Sequence, residues 1–245
     1  MKNFKGDLHI HSCLSPCAEL EMSPLTIVKK CLEKGLDFIA LCDHNSAENT
    51  GAVLRAGARL GLHVFPGIEI NSMEEIHSLA IFDNEEQAVR MQQIIYEHLH
   101  GMNSPGIFGE QVIVNEIDEV EGFNERMLIG STQLNIDVIV SEVHRLGGIS
   151  IACHVDRPSY SIIGQLGFIP PDLELDAVEL SWRGKREAFP GGIEVLKGLP
   201  IVTSSDAHSP EDIGRACTSF FIKSPCVNEI RMALQEKSGR RTVIN

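Results

Sequence analysis

Short apolar runs alternate with amphipathic stretches along most of this chain, and that alternation limits the possible folds more than any other feature. FKGDLHI, LDFIALCD, HVFPGIEI and EIHSLAIF read as the first four strands. SPLTIVKKCLEKG reads as a helix: Ser23 is placed to cap it, Pro24 suits its first position, Leu25, Val28 and Leu32 share a face, and Gly35 ends it. SAENTGAVLRAGARLG is a second helix, ending near Gly61. Asn84 caps a third, EEQAVRMQQIIYEHL, with Ala88, Met91 and Ile95 on one side. IDVIVSEVHRLGG turns Ile136, Ile139, Val140 and Val143 inward. The strands ISIACH, DAVELS, LPIVTSSD and TSFFIK and the helix SPCVNEIRMALQEK complete the series. Such alternation argues for a parallel α/β architecture. A barrel is favoured over an open sheet, because no glycine-rich phosphate fingerprint follows the first strand. Residues 101–134 fit the alternation poorly and read as an insertion with a short strand or hairpin, a lid or a contact surface.

Composition narrows the function. The 245 residues, 43% hydrophobic, can bury a sizeable core, and residues 1–245 are expected to form a single domain. No apolar run reaches membrane-spanning length, and MKNFKGD lacks the apolar segment of a secretory signal. A soluble, cytoplasmic protein with no membrane partner is expected. Seven cysteines, an odd number without disulfide-framework spacing, fit a reducing compartment. The net charge of −13 disfavours non-specific attraction to a nucleic-acid backbone. An anionic substrate would need local positive charge, which divalent cations can supply.

The polar residues fall in a pattern. His9 and His11 end the first strand, Asp43 and His44 the second, and Glu69 the third. His77 begins the fourth, His154 ends ISIACH, and Asp206 and His208 follow LPIVTSSD. In a parallel barrel, C-terminal strand ends gather on one face, where active sites sit. Imidazole and carboxylate are ligands for manganese, iron and zinc. On an extended chain His9 and His11 start on the same side, so H-x-H can clamp one metal. Asp7 is expected on that side too, orienting a ligand histidine from behind, and Asp43 is a second such candidate. His63, His98, His100 and His144 lack this placement and are assigned to surface or packing roles.

DLHIHS, CDHN, GIEI, IHSLAIF, ACHVDRP and SDAH occur in that order between residues 7 and 208. Together they resemble the PHP (polymerase and histidinol phosphatase) superfamily of metal-dependent phosphoesterases, in its stand-alone bacterial form. The resemblance implies a distorted (β/α)7 barrel with two or three divalent ions (Mn, Fe or Zn). It implies that His9, His11, Glu69 and Asp206 hold one metal, that Glu69 bridges to a second held with His77 and His154, and that His44 and His208 help hold a third. The sequence departs from the family where a His or Asp normally completes the third site. Pro16 and Cys17 stand there, with Glu19 nearby, and Cys17 is the candidate third-metal ligand.

The implied reaction is hydrolysis of a phosphate ester by a metal-bridging hydroxide, on a small phosphorylated substrate or a short nucleic acid. Glu69, Asp206 and Arg157 are the candidate catalytic residues. Arg157 and Arg183 are the candidate substrate-binding arginines, with Lys185 and Arg186 in the same basic loop as Arg183. Trp182 is either a base-stacking or a packing residue. The alternatives are amidohydrolase chemistry, a histidinol-phosphate phosphatase and a non-catalytic metal-binding module. Many amidohydrolases bridge their metals with a carbamylated strand-end lysine, and none of the nine lysines lies at such a position.

Overall fold

The computed structural model describes residues 1–183, 193–196 and 198–244; Lys185 and Arg186 lie outside them. The elements run β1 (Lys2–Ile10), α1 (Pro24–Glu33), β2 (Phe38–Leu41), α2 (Thr50–Leu60), β3 (His63–Asn71), β4 (His77–Ile81) and α3 (Glu85–His98). Then come α4 (Pro105–Phe108), β5 (Val112–Val114), β6 (Val120–Phe123), α5 (Ile136–Arg145), β7 (Ile149–Ala152) and α6 (Ile162–Leu166). The chain finishes with β8 (Ala177–Leu180), β9 (Ile201–Thr203), β10 (Thr218–Ile222), α7 (Val227–Leu234) and β11 (Arg241–Ile244).

Seven strands follow one another round a curved sheet in the order β1-β2-β3-β4-β7-β8-β9, and β10 and β11 extend it antiparallel beyond β1. The ring nearly closes. Thr203 at the end of β9 donates its N–H to Thr218 Oγ1 of β10 at 2.8 Å, and that hydroxyl donates back to the Thr203 carbonyl at 3.0 Å. This is the distorted α/β barrel that the alternation and the resemblance imply.

One strand departs from the parallel rule. β4 runs antiparallel to both β3 and β7. The turn from Asn71 to His77 is too short for a crossover, which needs a dozen or more residues, so the chain can only reverse. The strand therefore begins, rather than ends, at the rim that carries the other histidines.

Alternating side chains serve two layers. Phe38 and Ala40 of β2 point into the barrel with Phe65 and Phe220, while Ile39 and Leu41 pack outward under α1 and α2. Phe38 meets Phe65 edge-on at 5.5 Å; fully burying one such ring contributes about 1.5–3 kcal/mol. Helix α7 closes the lower mouth, with Val227, Ile230, Ala233 and Leu234 joining the lumen cluster. Helix α1 buries Ile27, Val28 and Cys31, but Leu32 is 39% exposed, so the expected Leu25–Val28–Leu32 face lies partly in solvent. Asn84 caps α3 through a reciprocal box with Gln87, and Gly61 ends α2 in the left-handed region.

The insertion forms α4 and the two-stranded β5–β6 hairpin. Asn49 pins the hairpin to the barrel: its side chain donates to the Val112 carbonyl at 2.9 Å and accepts from Val114 N–H at 3.0 Å. At the opposite end of the chain, Arg240 grips Glu229 with two hydrogen bonds of 2.7 and 3.1 Å, and Lys223 N–H adds a third at 2.8 Å.

Candidate metal centre

A register shift in β1 between Asp7 and Ile10 sets up the centre. Phe4 and Leu8 belong to the lumen cluster and Ile10 to the outer one. Both His9 and His11 nonetheless reach the lumen, because a bulge re-aims the side chains after it. Asp7 consequently does not share their side. Its carboxylate accepts Ser205 N–H (2.9 Å), Gly214 N–H (3.2 Å) and His9 N–H (3.4 Å), so it braces backbone rather than an imidazole ring. Burial pushes it up to about 6 against those hydrogen bonds.

The rim then closes on β1. His11 N–H donates to the Ala207 carbonyl at 3.0 Å, which brings the loop of Asp206 and His208 against His9 and His11. His208 stacks on His11 at 4.0 Å between ring centroids. His154 (φ 28°) and Asp206 (φ 49°) hold left-handed backbone, a strain of about 1–3 kcal/mol each for non-glycine residues and a common mark of functional sites.

Hydrogen bonds fix the tautomers. His9 Nδ1 lies 3.2 Å from both oxygens of Glu179. A carboxylate only accepts, so Nδ1 carries a proton and Nε2 is the ring atom left to face the lumen. Ser15 donates to Asp43 at 2.7 Å and so accepts from His11 Nδ1 at 2.9 Å. Asp43 thereby frees His11 Nε2 through Ser15, and it also holds Ser12 N–H and Oγ. The His9 and His11 Nε2 atoms stand 3.1 Å apart.

Glu69 is the hub. Its Oε1 lies 3.4 Å from His9 Nε2, 2.9 Å from His77 Nδ1 and 3.4 Å from His154 Nε2. Its Oε2 lies 3.4 Å from His11 Nε2 and 3.0 Å from His44 Nδ1, yet has no well-aligned hydrogen-bond donor among the described residues. Asp206 Oδ1 is 3.4 Å from both His9 and His11 Nε2. Ligand atoms about 2.0–2.2 Å from a shared ion lie about 3.0–3.6 Å from one another. The spacings, the converging imidazoles and the buried Glu69 Oε2, unpaired among the described residues, therefore fit divalent ions. Four sets of candidate ligand atoms overlap here: His9–His11–Asp206, His44–Glu69–His77, His11–His44–His208 and His9–Glu69–Cys153.

The electrostatics agree with that donor set. Burial alone would raise Glu69, but His77, His9 and His44 hold it well below the usual carboxylate range. Asp206 is likewise held down, against burial, by His9 and His11. Burial opposes a charge on His9, yet Glu179, Glu69 and Asp206 together lift it well above the ordinary imidazole value. His11 is pushed well down by burial and by the neighbouring His208.

Arg157 places Nη2 2.6 Å from Asp206 Oδ2 and lines the roughly 150 Å³ cavity over the centre together with His77, His154 and His208. Arg183 does not line that cavity; its guanidinium sits 4.4 Å over Trp182, whose ring also carries Arg215 at 4.4 Å. Cys17 is exposed at the rim beside His44 and His208 and belongs to none of the four ligand sets. Desolvation opposes its ionisation, but the charge of His44 and hydrogen bonds from both imidazoles bring the thiol down to about 6. Glu19 is exposed and donates its backbone N–H to the His208 carbonyl.

Two side chains of the centre escaped the sequence reading. Glu179 lies fully buried in the middle of the apolar run AVEL, and a lone acid inside an otherwise apolar strand was the available signal. Tyr160 stacks on His77 at 4.7 Å with planes 28° apart; nothing in its irregular loop foretold it.

Comparison with known proteins places this geometry. The PHP domain family model matches residues 7–158, and the PHP-associated model matches residues 196–238. The uncharacterized protein YqxK of Bacillus subtilis is 29% identical over 122 residues, 48% of this chain and 30% of YqxK. The lesion-specific endonuclease Q of Pyrococcus furiosus superposes with a TM-score of 0.74 at 18% identity, covering 98% of this chain and 58% of that one. A provisionally assigned metal-dependent phosphoesterase of Bifidobacterium adolescentis gives 0.58 at 16% identity, with 83% and 87% coverage. The chain thus spans under a third of YqxK and little more than half of endonuclease Q. These distant structures speak for the fold alone, but the family model takes in more than half of the sequence: the chain belongs to the PHP domain family.

Proposed function

We propose that residues 1–245 act as one domain that hydrolyses phosphate esters, of nucleotides or of short nucleic-acid ends, with two or three divalent ions drawn from Mn, Fe and Zn. The observation that carries this reading is Glu69, whose two oxygens face separate sets of imidazoles while one of them lacks a well-aligned donor among the described residues. Divalent ions held there supply an activated water and offset the charge of a phosphate.

The chain's own residues divide the remaining work. His9, His11 and Asp206 would hold one ion together with Glu69, and His77 and His154 would hold a second with the same carboxylate. His44 and His208 would help hold a third, with Cys17 standing where the family usually has a His or Asp. Glu179 and the Asp43–Ser15 pair keep His9 and His11 in the tautomers that present Nε2. Arg157 is 35% exposed beside Asp206, within reach of a phosphate oxygen in the same cavity. Arg183 serves as the outer cation for a longer substrate.

Purified protein loaded with Mn²⁺ is expected to cleave members of a panel of phosphomonoesters, phosphodiesters, 5′-phosphorylated RNA and histidinol phosphate, and His9→Ala to abolish this. The likeness to a lesion-specific endonuclease adds a damaged DNA duplex to the panel. Activity confined to cyclic amides would move the assignment to amidohydrolase chemistry. Full metal occupancy without hydrolysis of either class would leave a binding module.

A further inference from the structure

Arg215 has no lone pair to give a cation, yet it holds the loop that carries two candidate ligands, Asp206 and His208. Its Nε donates to the Ser205 carbonyl at 2.9 Å and its Nη2 to the Asp206 carbonyl at 3.2 Å. Its Nη1 pairs with Asp212 Oδ1 at 2.6 Å, and its guanidinium carbon lies 4.4 Å from the centre of the Trp182 ring. Trp182 is itself anchored next door: Ser181 donates its N–H and its hydroxyl to Asp156 at 2.7 and 2.6 Å.

The loop needs such a hold. Asp206 (φ 49°) keeps a left-handed backbone only where its surroundings enforce it. Two successive carbonyl oxygens turned toward one point repel, and a forked cation between them removes that repulsion; an ammonium offers no such planar fork. The Asp206 carbonyl also accepts from His208 Nδ1 at 3.0 Å. A carbonyl only accepts, so Nδ1 carries a proton and Nε2 is the ring nitrogen left for an ion. One peptide group thus orients both ligands, and Arg215 fixes that peptide group.

We infer that Arg215 is a positioning residue of the metal centre: held by Asp212 and Trp182, it fixes the Ser205–Asp206 backbone and so sets how tightly Asp206 and His208 bind their ions. The inference rests on the metal-centre reading. It also divides the ions. Those that use Asp206 or His208 depend on the brace, whereas an ion held by Glu69, His77 and His154 rests on β3, β4 and the loop after β7 and does not.

Competition between the protein and a chromogenic chelator for Mn²⁺ tests this. Arg215→Ala and Arg215→Lys should each weaken at least one ion by about 10–100-fold while another binds as in the wild type. Guanidinium ion at non-denaturing concentration should restore the affinity of Arg215→Ala but not of Arg215→Lys, whose ammonium fills the space. Trp182→Leu, at a 40% exposed position, should weaken the same ion about two- to fivefold, and it keeps the test alive where the Arg215 variants fail to fold. Arg215 does not line the cavity over the centre, so saturating Mn²⁺ should return kcat of Arg215→Lys to near the wild-type value. Unchanged Mn²⁺ affinity with only a lower Tm, equal weakening of every ion, or a kcat that stays low at saturation overturns the brace and leaves the centre intact. Wild-type protein that binds no divalent ion overturns the centre and the brace together.

Discussion

Two buried polar clusters sit at opposite ends of this barrel, and they are built on opposite principles. At the C-terminal lock, Glu229 has its donors within the chain: both arms of the Arg240 fork and the N–H of Lys223. At the rim, Glu69 and Asp206 face a ring of imidazoles, one Glu69 oxygen lacks a donor among the described residues, and the Nε2 atoms of His9 and His11 crowd to 3.1 Å. The lock is complete as folded. The rim is complete only when cations enter it, since an unpaired buried group is costly to leave. A self-sufficient cluster can only stabilise, whereas an unsatisfied one is held ready for a ligand.

The sharpest way to break the contrast is Glu69→Gln, which keeps the shape but removes the shared negative charge. Activity is expected to fall by roughly 10³-fold, with loss of bound metal measured by elemental analysis. Retention of both would place the rim in the same class as the lock. Next in size is the response to metal. At 100 times its dissociation constant an ion stabilises by about 2.7 kcal/mol, or roughly 5–10 °C in Tm for a chain of this size. Calorimetry with Mn²⁺ and with chelator should show that interval, and Glu229→Gln should leave it intact.

Glu179→Gln sharpens the comparison from within the rim. It disturbs the tautomer control of His9, so metal affinity should weaken by about 10–100-fold, read by competition with a chromogenic chelator. The smallest effect belongs to the lock. Glu229→Gln should lower Tm by roughly 3–6 °C without altering metal content. Its pH dependence has a fixed sign. The Arg240 hydrogen bonds, then Lys223 N–H, bring Glu229 from 4.5 down to about 2. The stabilisation is therefore full above about pH 4.5 and lost as pH falls toward 2. Urea midpoints of wild type and Glu229→Gln should differ at pH 7 and converge near pH 2.

Much of this was legible in the residues. Apolar periodicity located most helices and strands, and the capping role of Asn84 followed from its position before an acidic first turn. The barrel with histidines on one rim also followed, because C-terminal strand ends must gather there. What escaped depended on the third dimension. The bulge that separates Asp7 from His9 and His11 arises from pairing between β1 and β2, which no single strand encodes. DAVELS was legible as a strand, but not that its Glu179 faces the imidazole of His9 across the barrel. Leu32 obeyed the helical period but fell outside the arc that the sheet covers. The strand β11 pairs with β10 at the sheet's edge, and its alternating exposed and half-buried residues left no apolar run to find.

The reversal at β3–β4 carries one more consequence. Asn71 pairs with His77, so the residues Ser72 to Ile76 alone set how the fourth strand enters the sheet. Side chains on a strand alternate, and adding or deleting one residue in that turn would swing His77 to the far face. Met73, at the tip, is 55% exposed and by ordinary standards free to vary in identity. Loop length there is thus under a constraint that loop composition escapes: the turn acts as a ruler for the second half of the cage.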